Sequence, residues 1–130
     1  LAPEKFPATV KEAVYLKAIV GLEQTERWAE TQPAYAHAAE SWPLNETAWI
    51  GLGNSRYALK NLTGAEEAFR SAVEAASQSG AAYNYLAHVL MELGRPKEAL
   101  EVINQAIQLG GPLAETFQKT RTEIQHQMGG

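Results

Sequence analysis

The chain has 130 residues, no cysteine, a net charge of −4 and a pI near 5.4. One domain of that length can bury roughly two-thirds of its unfolded surface without staples, and the lack of cysteine removes disulfides, thiolate nucleophiles and Cys-based zinc sites while suiting an exported and a cytosolic protein alike. The acidic balance and scattered Lys and Arg argue against a nucleic-acid partner; no apolar run approaches the ~20 residues that cross a bilayer, so no membrane insertion is expected.

Residues 1–8 have neither an initiating Met nor a signal-peptide apolar core, and Pro3 and Pro7 read as a linker at the cut end of a longer polypeptide. Thr9 and Glu12 make a capping box, the hydroxyl capping a free amide while the carboxylate reaches back. A helix follows to about Leu22, with Val10, Val14, Ala18 and Leu22 along one face. Residues 23–31 show no clear pattern. A second helix passes through Ala34, Tyr35, Ala38 and Ala39 and ends before Pro43, whose ring excludes Trp42 from the helical region. Pro33 fits only the first turn of that helix, where a missing N–H costs nothing.

Asn45 is placed to cap a third helix over 46–60, with Glu46 favourable against its dipole. A second capping box, Thr63 and Glu66, opens the fourth helix, and the cluster Ser77, Gln78, Ser79 and Gly80 separates it from the fifth. Gly94 at C′ and Pro96 at N1 hand the fifth helix to the sixth, and Gly110, Gly111 and Pro112 repeat that stop and start. The last helix, about 112–128, carries a narrow apolar stripe of Leu113, Phe117, Ile124 and Met128 on a polar cylinder. No strand pattern occurs, so the chain reads as all-α.

Residues 46–79 and 80–113 are two copies of one 34-residue unit. Ala48, Trp49, Leu52, Gly53, Ala65, Phe69 and Ala72 fall on Ala82, Tyr83, Leu86, Ala87, Ala99, Ile103 and Ala106. A unit of this kind cannot bury its apolar face alone, so stacked neighbours share a continuous core. The small residues let helices approach to roughly 8–10 Å, and the large ones fill the gap opposite.

These residues resemble the tetratricopeptide repeat, whose pattern runs Trp, Leu-Gly, a tyrosine-like position, a glycine, then small, aromatic, small and proline. The pattern also reads back into residues 12–45 through Tyr15, Ala18, Tyr35, Ala38 and Pro43. Ile19 and Thr31 depart from it at small-residue slots, and Arg56 stands where an apolar or tyrosine side chain usually packs. The resemblance implies a right-handed superhelix of antiparallel helix pairs: three repeats (about 12–45, 46–79 and 80–113) plus a C-terminal capping helix, within a domain spanning 9–128.

The resemblance also implies that the first helix of each repeat lines a concave groove. Its side chains are Leu16 and Val20 in the first repeat, beside Ala13 and Glu23. Thr47, Ile50, Asn54 and Tyr57 follow in the second, and Asn84, His88 and Met91, after Ala81, in the third. The asparagines suit a peptide backbone, and Ile50, Tyr57 and Met91 suit apolar side chains. A competing reading packs Leu16, Val20 and Ile50 between helices and has Asn54 bonding across repeats. Repeats that hold acidic chaperone tails use a clamp of Lys, Asn, Asn, Lys and Arg; the matching positions here are Leu16, Val20, Gly51, Ala81 and Tyr85, so that ligand is not expected. Trp28 and Trp42 read as junction aromatics that pack under the next helix, with Trp42 a candidate contact residue.

A fainter resemblance runs through GLEQTERW, AAESWPLNETAWIGLGN, YNYLAHVLMELGR and LGGPLAETFQKT. It is to the C-terminal region of bacterial proteins that carry a papain-like cysteine peptidase domain of the bacteriocin-processing type upstream. Such a domain's catalytic Cys and His would lie outside this chain, and both cytoplasm and cell envelope suit it. Within the chain, His37, His88 and His126 fall on different predicted helices without metal-ligand spacing, and no Gly-x-Ser-x-Gly occurs. No catalytic, metal or cofactor site is expected. The chain therefore reads as a non-enzymatic module for a protein or peptide partner. An accessory role in cis toward a peptidase-like domain and a homo-oligomerisation module are the alternatives.

Overall fold

The computed structural model describes residues 8–23 and 27–129, among which there are seven α-helices and no strand. Helices α1 (Ala8–Glu23) and α2 (Trp28–Ser41) form one pair, α3 (Glu46–Ala58) and α4 (Leu62–Ala75) the next, and α5 (Gly80–Glu92) and α6 (Pro96–Leu109) the third. Helix α7 (Ala114–Gly129) follows. Each helix packs on its successor, and α3 also touches α5 and α5 touches α7, so α3, α5 and α7 lie side by side. None of the described helices is long and apolar enough to cross a membrane.

The helix ends follow from local chemistry. Asn45 caps α3, its side chain accepting from the Ala48 N–H at 3.2 Å, and its own amide donates to the Glu12 carboxylate. The Thr9 side chain of the first capping box lies outside the described residues, as do residues 24–26 of the patternless stretch. Helix α4 is capped by Asn61 rather than Thr63: its Oδ1 accepts from the Gly64 N–H at 2.9 Å, and the helix has begun by Leu62. Asn61 precedes Thr63 and is the stronger cap, which frees Glu66 for the ion pairs described below. Helix α5 ends in a Schellman turn, with Gly94 (φ 76) bonding to Met91 O and Arg95 to Leu90 O. Pro96 then opens α6.

Pro33 is the second correction. It sits inside α2, well past the first turn, on an exposed part of the helix. Thr31, Tyr35, Ala38 and Ala39 are buried on the same helix, and their packing holds the backbone helical through a residue that lacks the N–H for Ala29. Thr31 keeps its place in the core because its hydroxyl donates to the Arg27 carbonyl at 2.7 Å. Ile19, the other departure from the small-residue pattern, is wholly buried in the N-terminal cluster. Arg56 runs along the turn to donate to the Gly64 carbonyl at 2.9 Å and to reach Glu67 at 4.0 Å.

The core is two neighbouring clusters, one around α1–α4 that includes Tyr15, Tyr35 and Leu52, the other around α4–α7 that includes Phe69, Leu90 and Ile103. Tyr35, Phe69 and Ile103 hold one place in the three repeats, and glycines make room for the rings. A Cβ on Gly51 would stand 2.2 Å from the Tyr35 ring, and one on Gly53 would stand 2.3 Å from the Phe69 ring. Where Ile103 replaces the ring, Ala87 is admitted at the place of Gly53.

Helix α7 stands where a fourth repeat would begin, Phe117 following Tyr15, Trp49 and Tyr83 in register. Its buried stripe is Phe117, Thr120 and Ile124; Leu113 precedes the helix, and both Leu113 and Met128 are exposed, contrary to the expected stripe. Where α3 and α5 bury Ala48 and Ala82, then Ser55 and Val89, α7 turns Thr116 and Glu123 to water. One face serves the stack and the other serves solvent, as a terminal cap requires.

Between the second helices, Arg95, Glu98, Arg70 and Glu66 form a ring of alternating charge. Arg95 reaches Glu66 at 2.8 Å and Glu98 at 2.7 Å, and Arg70 reaches Glu66 at 2.8 Å and Glu98 at 3.4 Å. The Arg95 hydrogen bond, with the charges of Arg95 and Arg70, holds the Glu98 carboxyl below its ordinary value against the opposing effect of desolvation.

Candidate functional site

Where α3 and α5 run side by side, a cleft of about 200 Å³ opens between them. Asn54 and Tyr57 come from α3, Tyr85, His88 and Val89 from α5, and Phe69 from α4. Phe69 and Val89 are buried and close the cleft from below, while Tyr57 and Tyr85 are 38% and 37% exposed and stand open to solvent. The Tyr85 ring stacks on Phe69 at a centroid distance of 5.4 Å and an interplanar angle of 19°. That stack exists because Tyr85 replaces Gly51 of the preceding repeat and meets Phe69 as Gly51 meets Tyr35.

Polar groups are few and distinct in role. The Asn54 side chain has no hydrogen-bond partner among the described residues, so its donors and acceptor remain available to a ligand. His88 Nε2 lies 3.4 Å from Thr120 Oγ1, which ties the cleft to α7. The Tyr57 hydroxyl donates to the Glu92 carboxylate across the seam between α3 and α5. That bond, helped by partial burial and by the negative charge of Glu92, pushes the Tyr57 phenol above its ordinary value.

The structure brings three of the expected groove residues together, Asn54, Tyr57 and His88. Thr47 and Val20 are exposed outside the cleft. Ile50 and Met91 are half-buried against the C-terminal cluster, and the Met91 carbonyl accepts from Gln127 of α7 at 3.3 Å. Asn84 is half-buried, with its Oδ1 enclosed and without a partner among the described residues. Leu16 is 8% exposed and belongs to the N-terminal core, as the competing packing reading has it. Trp42 sits edge-on to Tyr15 at 5.6 Å, also a packing role.

Sequence reasoning passed over Tyr85, Phe69 and Glu92 as a group. The signal was present in the glycine-to-tyrosine change from Gly51 to Tyr85 at one place in otherwise matching repeats. A large side chain where the neighbour has none must project into the groove or against the preceding pair, and Tyr85 does both. Among the described residues, no group of three or more potential metal ligands converges. The cleft is thus lined mainly by rings, with one side-chain amide and no Lys or Arg.

Two family models, each described as Tetratricopeptide repeat, match residues 15–80 and 56–110. No curated protein matches the chain in sequence. In fold it is similar to the type III secretion translocator chaperone SycD of Yersinia enterocolitica, with a TM-score of 0.86 and 13% identity over 97% of this chain and 91% of that one. SycD in complex with a peptide of the translocator YopD gives 0.83 and 14% identity, over 96% and 98%. The first TPR of Spaghetti (RPAP3), bound to the HSP90 peptide SRMEEVD, gives 0.83 and 16%, over 92% and 94%. At these identities the likeness speaks to fold alone: a right-handed superhelix of antiparallel helix pairs, three repeats and a closing helix.

Proposed function

Since the chain belongs to the tetratricopeptide repeat family, we propose that it is a non-enzymatic interaction module that holds a peptide or protein on the face of α1, α3 and α5. The observation that carries this reading is the convergence of Asn54, Tyr57 and His88 on one open cleft, where the Asn54 amide has no hydrogen-bond partner among the described residues. Structural relatives solved with bound peptides, from YopD and from HSP90, support the same class of work. Val20, Thr47, Ile50, Asn84 and Met91 extend the contact surface on either side, and Leu16 supports it from the core. The working unit spans 9–128, with repeats at 12–45, 46–79 and 80–113.

Affinity capture from cells of the source organism tests this directly, comparing the native chain with an Asn54→Ala, Asn84→Ala variant of verified fold. A protein retained by the native chain and lost by the variant is the expected result. A partner indifferent to both substitutions would place binding elsewhere. The resemblance to peptidase-linked C-terminal regions motivates a second arrangement, in which the partner is an upstream domain of the same polypeptide. Adding that domain in trans and finding it competes with the captured protein would favour this arrangement. A second copy of the chain as partner predicts a mass that rises with concentration, and the polar outer face of α7 argues against stacking through that end.

A further inference from the structure

Resting on the concave-face reading above, we propose that the cleft between α3 and α5 seats one cationic side chain of the partner, a lysine or an arginine, with Glu92 as its counter-charge. Tyr57 and Tyr85 offer partly exposed ring faces on opposite helices, and Phe69 backs Tyr85 in a stack. Ring faces attract a cation and also cover the methylenes of its stem. Glu92 lies one helical turn beyond His88. Its carboxylate accepts from the Tyr57 hydroxyl, and no Lys or Arg pairs with it among the described residues. The hydrogen bond therefore fixes a negative charge, with no Lys or Arg partner among the described residues, at the Tyr57 edge of the cleft.

The alternatives fit the same groups less well. An acidic side chain would meet Glu92 with no cation in the lining to offset it. A wholly apolar one would cover the Asn54 amide, which has no partner among the described residues, without satisfying it. A cation satisfies Glu92, lies against rings, and leaves its own backbone near Asn54. The chain's net charge of −4 also favours approach of a basic segment.

The test is selection of a phage-displayed random peptide library on the full chain, with the Asn54→Ala, Asn84→Ala variant as counter-selection. Synthetic copies of the selected peptides are then titrated by fluorescence polarisation. The proposal expects a shared Lys or Arg, whose replacement by Leu weakens binding about threefold to tenfold. Glu92→Gln, which keeps the hydrogen bond to Tyr57 but removes the charge, should weaken the cationic peptide by a similar factor and leave its Leu version unchanged. Tyr85→Leu should weaken the cationic peptide through the lost ring face, with thermal melts confirming that both variants fold. Groove-dependent peptides with an apolar or acidic anchor, indifferent to Glu92→Gln, would overturn the cation site and leave the concave-face reading standing. Failure to select any groove-dependent peptide would count against both.

Discussion

Lys60 and Gly94 hold the same place in successive repeats, and both have positive φ, 69° and 76°. At each, a Schellman turn closes the preceding helix; Asn61 bonds to Arg56 O as Arg95 bonds to Leu90 O. Glycine carries no Cβ penalty there and lysine does. Lys60→Gly should accordingly raise stability by about 1 kcal/mol in urea denaturation. Gly53 poses the opposite case. Its Cβ would stand 2.3 Å from the Phe69 ring, so Gly53→Ala should cost about 1–3 kcal/mol, and Phe69→Ala about 3–5 by opening a cavity. The double variant should cost less than the sum, because removing the ring removes the clash; a double-mutant cycle measures that coupling. Caps such as Asn45 and Gly94 were readable because their chemistry is local. The Thr63–Glu66 pattern misplaces the start of α4 because Asn61, two residues earlier, is the better cap.

At the scale of elements, the ring of Arg95, Glu98, Arg70 and Glu66 clamps α4 to α6 at one edge. A carboxyl depressed in the folded state adds stability above its unfolded value, about 4.5 here, and loses it as pH falls through the folded value. Glu98→Gln should therefore lower the thermal midpoint at about pH 7 and narrow the drop between pH 7 and about pH 3, followed by circular dichroism across pH. Helix α7 contributes by burial instead. Ending the chain at Gly110 strips away Phe117 and Ile124, 1% and 0% exposed, a loss of about 3–6 kcal/mol. A urea midpoint far below that of the full chain is the expected result. The helices were legible from period and punctuation. The persistence of α2 through Pro33 was not, since the burial of Thr31 and Tyr35 that overrides the local rule comes from neighbouring helices.

For the whole molecule, the register of 34 residues made the architecture legible, because every packing position recurs and each copy corroborates the others. The site was legible only in part. The resemblance to the repeat pointed to Asn54 and Tyr57 on α3 and His88 on α5, and all three line the cleft. Its aromatic wall depends on what stands opposite in the adjoining pair, Phe69 under Tyr85, and no single helix's pattern carries that. Leu16 shows the converse: its spacing suits the groove, but packing between α1 and its neighbours draws it into the core. The most direct test of the binding face is site-specific photo-crosslinking to the captured partner, with a photoreactive phenylalanine placed at position 85 or, as control, at Leu44, which is 82% exposed outside the cleft. The concave-face account predicts an adduct from position 85 and none from position 44. An adduct from position 44 alone would contradict it.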